Sequence, residues 1–256
     1  MALDRERFGE PLDLVAALDL ATGVGVNRVV QIGCDVEGAR WAVAAADAHA
    51  RVVAGVALHP NEAPRLAASG ELDAAFAEIE ALARHPRVRA IGETGLDHFR
   101  TGADGRRPQE ESFRRHIELA KQLGKALVIH DRDAHDDVVR VLLNEGPPER
   151  VVFHCFSGGV ALARSCADHG WLMSFAGTVT FKNADDLRAA LAIAPIDQLL
   201  VETDAPYLTP TPYRGRPNSS YLIPHTVRAM SQVKGVEVGQ MCSAIAAATR
   251  RAFGDW

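Results

Sequence analysis

Apolar residues in this chain gather in short runs that stop abruptly at residues able to do chemistry. Val88-Arg89-Ala90-Ile91-Gly92 gives way to Glu93, Ala126-Leu127-Val128-Ile129 ends on His130, Val151-Val152-Phe153 ends on His154, and Leu199-Leu200-Val201 runs into Glu202-Thr203-Asp204. Runs with almost no polar alternation predict strands covered on both faces, as in a parallel sheet. Other stretches show the helical period instead. Leu12, Val15, Ala16, Leu18 and Ala21 share one face, so the chain is expected to open on a helix at Leu12–Ala21.

The pattern predicts strands at Arg28–Gly33, Val52–Leu58, Val88–Gly92, Ala126–His130, Val151–His154, Trp171–Phe175 and Leu199–Glu202. Helices are expected between them at Val36–Ala50, Leu72–His85, Gln109–Leu123, Ala134–Asn144, Gly159–His169 and Asn183–Ile193. A loop is expected around Arg100–Pro108, a proline-rich loop at Ala205–Pro217, and two final helices at Ile223–Gly235 and Gly239–Phe253. Strict β/α alternation argues a parallel sheet with right-handed crossovers. The count is one strand short of a TIM (β/α)8 barrel, which begins on a strand. The reading is an α/β barrel forming a single domain over residues 1–256, with its first strand missing from this chain; an open doubly wound sheet is the alternative.

At 256 residues the chain is long enough for that barrel as one domain. A formal charge of -5 and the lack of any Lys/Arg-rich run argue against wholesale coating of duplex nucleic acid, leaving room for a local basic patch. The four cysteines form no CxxC pair, which points to a reduced, cytoplasmic protein. The charged N-terminus has no apolar core of a signal peptide, and no stretch approaches the ~20 apolar residues of a membrane helix. No GxSxG elbow, P-loop or GxGxxG is present, which argues against serine hydrolase, NTPase and dinucleotide chemistry.

The strand-end residues change the picture. Two imidazoles, His130 and His154, and two carboxylates, Glu93 and Asp204, suit one or two divalent cations of the Zn, Mn or Mg type. A cation of that kind lowers the pKa of a water and offsets charge on a phosphoryl or carbonyl oxygen, and a nearby carboxylate takes the proton. A lone strand-end histidine is usually a core or loop residue; four such ends in one alternating chain favour a metal site.

Ala90-Ile91-Gly92-Glu93-Thr94-Gly95-Leu96-Asp97, Ile129-His130-Asp131-Arg132-Asp133-Ala134, His154-Cys155-Phe156-Ser157-Gly158, Glu202-Thr203-Asp204-Ala205-Pro206-Tyr207-Leu208 and Gly55-Val56-Ala57-Leu58-His59-Pro60 resemble, as an ordered set, the motifs of the TatD family of metal-dependent hydrolases. The resemblance runs from about Val29 to the C-terminus. It implies a TIM barrel and hydrolysis of phosphodiester bonds in DNA, often as an exonuclease, with a divalent cation: Mg2+ in the first place, Mn2+ or Zn2+ as alternatives. DNA ends or single strands are the implied substrate, with no membrane and no obligate protein partner. It further implies that Glu93 bridges two metals, that His130 and His154 complete one site, and that Asp204 binds the other metal and acts as general base. His59, Arg132, Tyr207 and Arg214 are the implied substrate contacts.

One departure stands out: the family pattern begins with an HxHLD motif, and this chain has no HxH. Leu3-Asp4 matches the last two residues of that motif, so the missing strand and its two histidines are expected together upstream of Met1. The Glu93–Asp204 site would then be weak. Two other readings stay open: an ester or amide hydrolase (deacylase) using the same activated water, and a catalytically impaired product. Ser157-Gly158-Gly159 could receive a phosphate or merely cap a helix. Where the family shows an Arg-Gly followed by Asn-Glu-Pro, this chain reads Arg214-Gly215-Arg216-Pro217-Asn218-Ser219-Ser220, without the Glu.

Overall fold

The computed structural model describes residues 13–256. Leu3 and Asp4 therefore lie outside the described residues, as does Leu12. The chain forms two compact units: residues 29–154 with the last five residues, and the described residues up to Arg28 with Cys155–Arg251.

The 29–154 unit contains β1 (Val29–Gly33), α2 (Val36–Ala48), β2 (Val52–Val56), α3 (Glu62–Ser69), α4 (Leu72–Ala83), β3 (Val88–Asp97), α5 (Ala103–Leu123), β4 (Ala126–Arg132), α6 (His135–Glu145) and β5 (Val151–Phe153); α1 precedes them in the chain at Leu14–Gly23. The five strands pair in chain order and all in parallel, with registers such as Val29↔Val52, Ala90↔Ala126 and Leu127↔Val151. β2 is buried along its whole length, as a strand covered by helices on one face and packed inside on the other must be. Basic residues standing immediately before three strands grip main-chain carbonyls. Arg87 donates to Ala46 O (3.0 Å), Ala50 O (3.1 Å) and Val52 O; Lys125 donates to Ala83 O and to His85 O (3.2 Å); Arg150 donates to Gly124 O. The carbonyls of Ala46, Ala83 and Gly124 among them lie at helix ends, which leave such oxygens orphaned.

The other unit holds α1, α7 (Val160–His169), β6 (Leu172–Phe175), α8 (Asp185–Ile193), β7 (Leu199–Val201), α9 (Ile223–Lys234) and most of α10 (Val238–Phe253). α1 starts where Asp13 accepts hydrogen bonds from the N–H groups of Val15 and Ala16, at 3.1 and 3.4 Å. β6 and β7 are parallel, with Met173 opposite Leu199, and Met173, Phe175, Leu191, Leu199 and Met230 are buried. Lys234 repeats the carbonyl grip on Ala192 and Ala194.

The α/β class and the seven strands are as expected. Two boundaries move by more than two residues, and one helix is new. β3 continues past Gly92 to Asp97. α5 starts at Ala103, so residues 103–108, expected in a loop, are helical; Pro108 removes only one N–H near the helix start. α3 was not expected; it is two turns long, carries Pro64 near its start and ends on Gly70 in the left-handed conformation (φ 75°). Among the described residues no helix is long and apolar enough to cross a membrane.

Candidate metal centre

The extra length of β3 is what aims Glu93. Ile91 pairs with Leu127 and Thr94 with Ile129, so Gly92 and Glu93 together face the single residue Val128. Two residues against one is a bulge, which interrupts the ladder and redirects a side chain. Glycine is needed on both sides of it. A Cβ on Gly92 would lie 2.4 Å from Val128 Cβ, and one on Gly95, at φ 140°, would lie 2.1 Å from the His130 carbonyl oxygen. The sequence Gly92-Glu93-Thr94-Gly95 therefore supplies the two side-chain-free positions that this pairing with β4 requires.

Three imidazoles meet that carboxylate, which is 7% exposed. His130 Nδ1 lies 2.6 Å from Glu93 Oε1, His154 Nε2 3.5 Å and His59 Nε2 3.6 Å. The Cys34 thiol, just past β1, lies 3.6 Å from Oε2. Burial pushes the Glu93 carboxyl up, but His154, His130 and His59 outweigh it and hold the group well below the usual carboxylate range. On the far edge of the His130 ring, Nε2 lies 3.3 Å from Asp97 Oδ2. Asp97 is itself fixed by the Asn61 side-chain amide (3.0 Å) and the Arg100 backbone N–H (2.8 Å). Burial pushes His130 down, while Asp97 and Glu93 lift it to about 9. Burial likewise raises Asp97, and His130 with the two N–H donors brings it below its ordinary value.

The ligand atoms of His59, Glu93 and His130 lie within 4.8 Å of one another. One carboxylate oxygen and imidazole nitrogens converging in a buried place fit a divalent cation, and Asp97 behind His130 is the outer carboxylate that such histidines require. His59 differs from the other two rings. Its Nδ1 accepts the Asn61 backbone N–H at 3.1 Å, so its Nε2 carries the proton and points inward as a donor. Proximity groups His59 with Glu93 and His130, and its tautomer suits hydrogen bonding to an anion.

The expected residues thus come together in part. Glu93, His130 and His154 meet, joined by His59. In the other unit, Asp204 follows β7 with φ 56°, and its carbonyl accepts the Tyr207 N–H at 2.9 Å. Glu202, not singled out as a ligand, accepts the Cys155 N–H at 3.0 Å. Asn218 donates to Thr203 O (2.7 Å) and Tyr207 O (2.8 Å), tying this loop down, and Arg214 lies over the Phe181 ring at 3.5 Å. Asp133, Cys155 and Asp204 all adopt left-handed backbone just after a strand. Non-glycine residues there carry strain of about 1–3 kcal/mol each, which clusters at functional sites. Missed from the sequence were His59 as part of the carboxylate cluster, Cys34, Asn61 and Asp97. Asp97 had a signal: it is the last residue of the Gly92–Asp97 motif.

A family model described as TatD related DNase matches residues 2–254. The chain is 47% identical over 247 residues to the uncharacterized metal-dependent hydrolase TatD of Mycobacterium tuberculosis, covering 94% of this chain and 92% of that one. It is 34% identical to the uncharacterized metal-dependent hydrolase YabD of Bacillus subtilis, with the same coverage of 94% and 92%. Among solved structures, the TatD homologue YjjV of Escherichia coli matches with a TM-score of 0.86 at 25% identity, over 94% of this chain and 92% of that one. A TatD family hydrolase of Entamoeba histolytica matches with a TM-score of 0.83 at 19% identity, over 98% and 95%.

Proposed function

Because the chain belongs to the TatD family of metal-dependent hydrolases, we propose that it cleaves phosphodiester bonds in DNA, working from ends or on single strands as an exonuclease, with Mg2+ as its cation. The observation that carries this reading is the convergence of His130, His154 and His59 on one oxygen of the buried Glu93. The family model's description as a DNase supports the phosphodiester in particular.

Glu93, His130 and His154 would hold the cation. A divalent cation held there supplies a water of near-neutral pKa and offsets charge developing on the phosphoryl oxygens. His59 donates its Nε2 proton to a phosphate oxygen of the strand, in keeping with the tautomer that Asn61 imposes. The motif around Asp204 supports its role as general base, taking the proton of the attacking water. Arg132, Arg214 and Tyr207 contact the nucleotide chain.

The test is cation-dependent release of nucleotides from single-stranded DNA by this 256-residue chain, with Asp204→Asn and His154→Ala beside it. Release that both substitutions abolish supports the reading. A folded protein that leaves DNA intact yet turns over small carboxylic esters would replace it with an ester hydrolase on the same site.

A further inference from the structure

Phe99 is the most exposed large apolar side chain among the described residues, at 62%. It stands two residues beyond Asp97, in the segment between β3 and α5. The Arg132 guanidinium lies over its ring, with Cζ 3.9 Å from the centroid. The two residues are placed by backbone: Asp97 pairs with Arg132 across β3 and β4, and the His98 N–H donates to Arg132 O at 2.9 Å. These are the strands that carry Glu93 and His130. A phenylalanine left in water forfeits most of what burial would return, so packing does not account for this position.

Charge around the ring is also unspent. Among the described residues no carboxylate pairs with Arg132. Arg100 follows directly in the chain, and Arg106 and Arg107 come in the first turns of α5; all three are exposed and have no carboxylate partner among the described residues. By contrast, Arg114 and Arg140 farther along are neutralised by Glu110. An open aromatic ring backed by a guanidinium and followed by unpaired cations suits a ligand that alternates flat π-faces with negative charge, as a single nucleic-acid strand does.

We propose that Phe99 and Arg132 form a nucleobase-stacking subsite beside the metal centre. A base of the single strand lies on the Phe99 ring, and Arg132 and Arg100 take the flanking phosphate oxygens. This rests on the phosphodiesterase reading and deepens it: the subsite selects unpaired nucleotides, since a base within a duplex has no free face to offer, and it tolerates any base identity.

The experiment uses the full chain in EDTA, so that binding is read without turnover. Two kinds of single-stranded oligonucleotide serve as probes: one with 2-aminopurine at either terminus, and one identical but abasic there. The 2-aminopurine fluorescence is expected to quench on binding to the parent protein, and the abasic strand to bind more weakly. Phe99→Ala is expected to lose the quench and weaken the base-containing strand by roughly tenfold, with no change for the abasic strand; Phe99→Trp restores both. Circular dichroism confirms that the variants are folded. Equal binding and equal quenching by Phe99→Ala and the parent, with DNA still hydrolysed, would overturn the subsite alone. A parent protein that neither binds nor hydrolyses DNA with Mg2+ or Mn2+ would overturn the phosphodiesterase reading and the subsite with it.

Discussion

His130 meets Asp97 through one ring nitrogen and Glu93 through the other, at 3.3 Å and 2.6 Å. A carboxylate beside Nε2 favours a proton on that nitrogen, which would leave Nδ1 as the lone pair of the ring for a divalent cation. Asp97→Asn is therefore expected to weaken divalent-cation binding by about tenfold to a hundredfold, measured by titration calorimetry. Affinity equal to that of the parent would remove Asp97 from this role.

Glu93 is the carboxylate on which the imidazoles converge, and Glu93→Gln keeps its shape while deleting its charge. Saturating cation stabilises the parent by mass action, by about 2.7 kcal/mol at a concentration a hundred times the dissociation constant. The melting temperature of the parent is thus expected to rise with added Mn2+ or Zn2+, and that of Glu93→Gln to stay where it was. A variant that still shifts would mean that the cation sits elsewhere.

Gly95 has no room for a side chain: its Cβ would lie 2.1 Å from a main-chain oxygen, on backbone at φ 140°. Gly95→Ala is expected to cost more than about 2 kcal/mol in urea unfolding and to lower cation affinity as well, because the same bulge aims Glu93. Wild-type values for both would show that β3 relaxes freely at this point.

His116 is fully buried on α5. Its Nε2 accepts the Leu58 N–H at 3.2 Å, and its Nδ1 donates to Ser112 O at 2.7 Å. Burial lowers its pKa, the Ser112 carbonyl raises it and Arg115 lowers it further, and the result is about 4 against an ordinary 6.5. Above pH 6.5 the ring is neutral folded or unfolded, and its contribution is complete. As pH falls from 6.5 to 4 the unfolded chain takes up a proton that the folded chain refuses, so stability is lost across that window, by about 3 kcal/mol at the bottom of it. His116→Gln should be less stable at pH 7 yet show a shallower fall between pH 6.5 and 4 by chemical denaturation. Parallel curves for variant and parent would assign the acid sensitivity to other groups.

Much of this was legible in the chain. The buried strands announced themselves as unbroken apolar runs, and Glu93, His130 and His154 stood out because each follows such a run. What could not be read was the register. That Gly92 and Glu93 face one residue of β4 depends on how two distant segments pair, and no local pattern encodes it. The role of His59 was hidden for a similar reason: its tautomer is set by the N–H of Asn61, two residues on, and its position by a neighbouring strand. α3 escaped because eight residues carry too few repeats of a helical period to separate from a loop. Phe99 gave no sign of its exposure, since an aromatic after an apolar strand reads as core.

Arg87, Lys125 and Arg150 hold main-chain oxygens rather than side chains. Every amino acid offers that oxygen, so the grip does not depend on which residues the gripped helices carry. Mutations along the outer faces of α2, α4 and α5 leave these anchor points in place, and the strand starts stay registered while the helices drift in sequence. Farther along β3, a single methyl group on Gly92 or Gly95 is excluded. The start of β3 is built to absorb variation, and its farther half to forbid it.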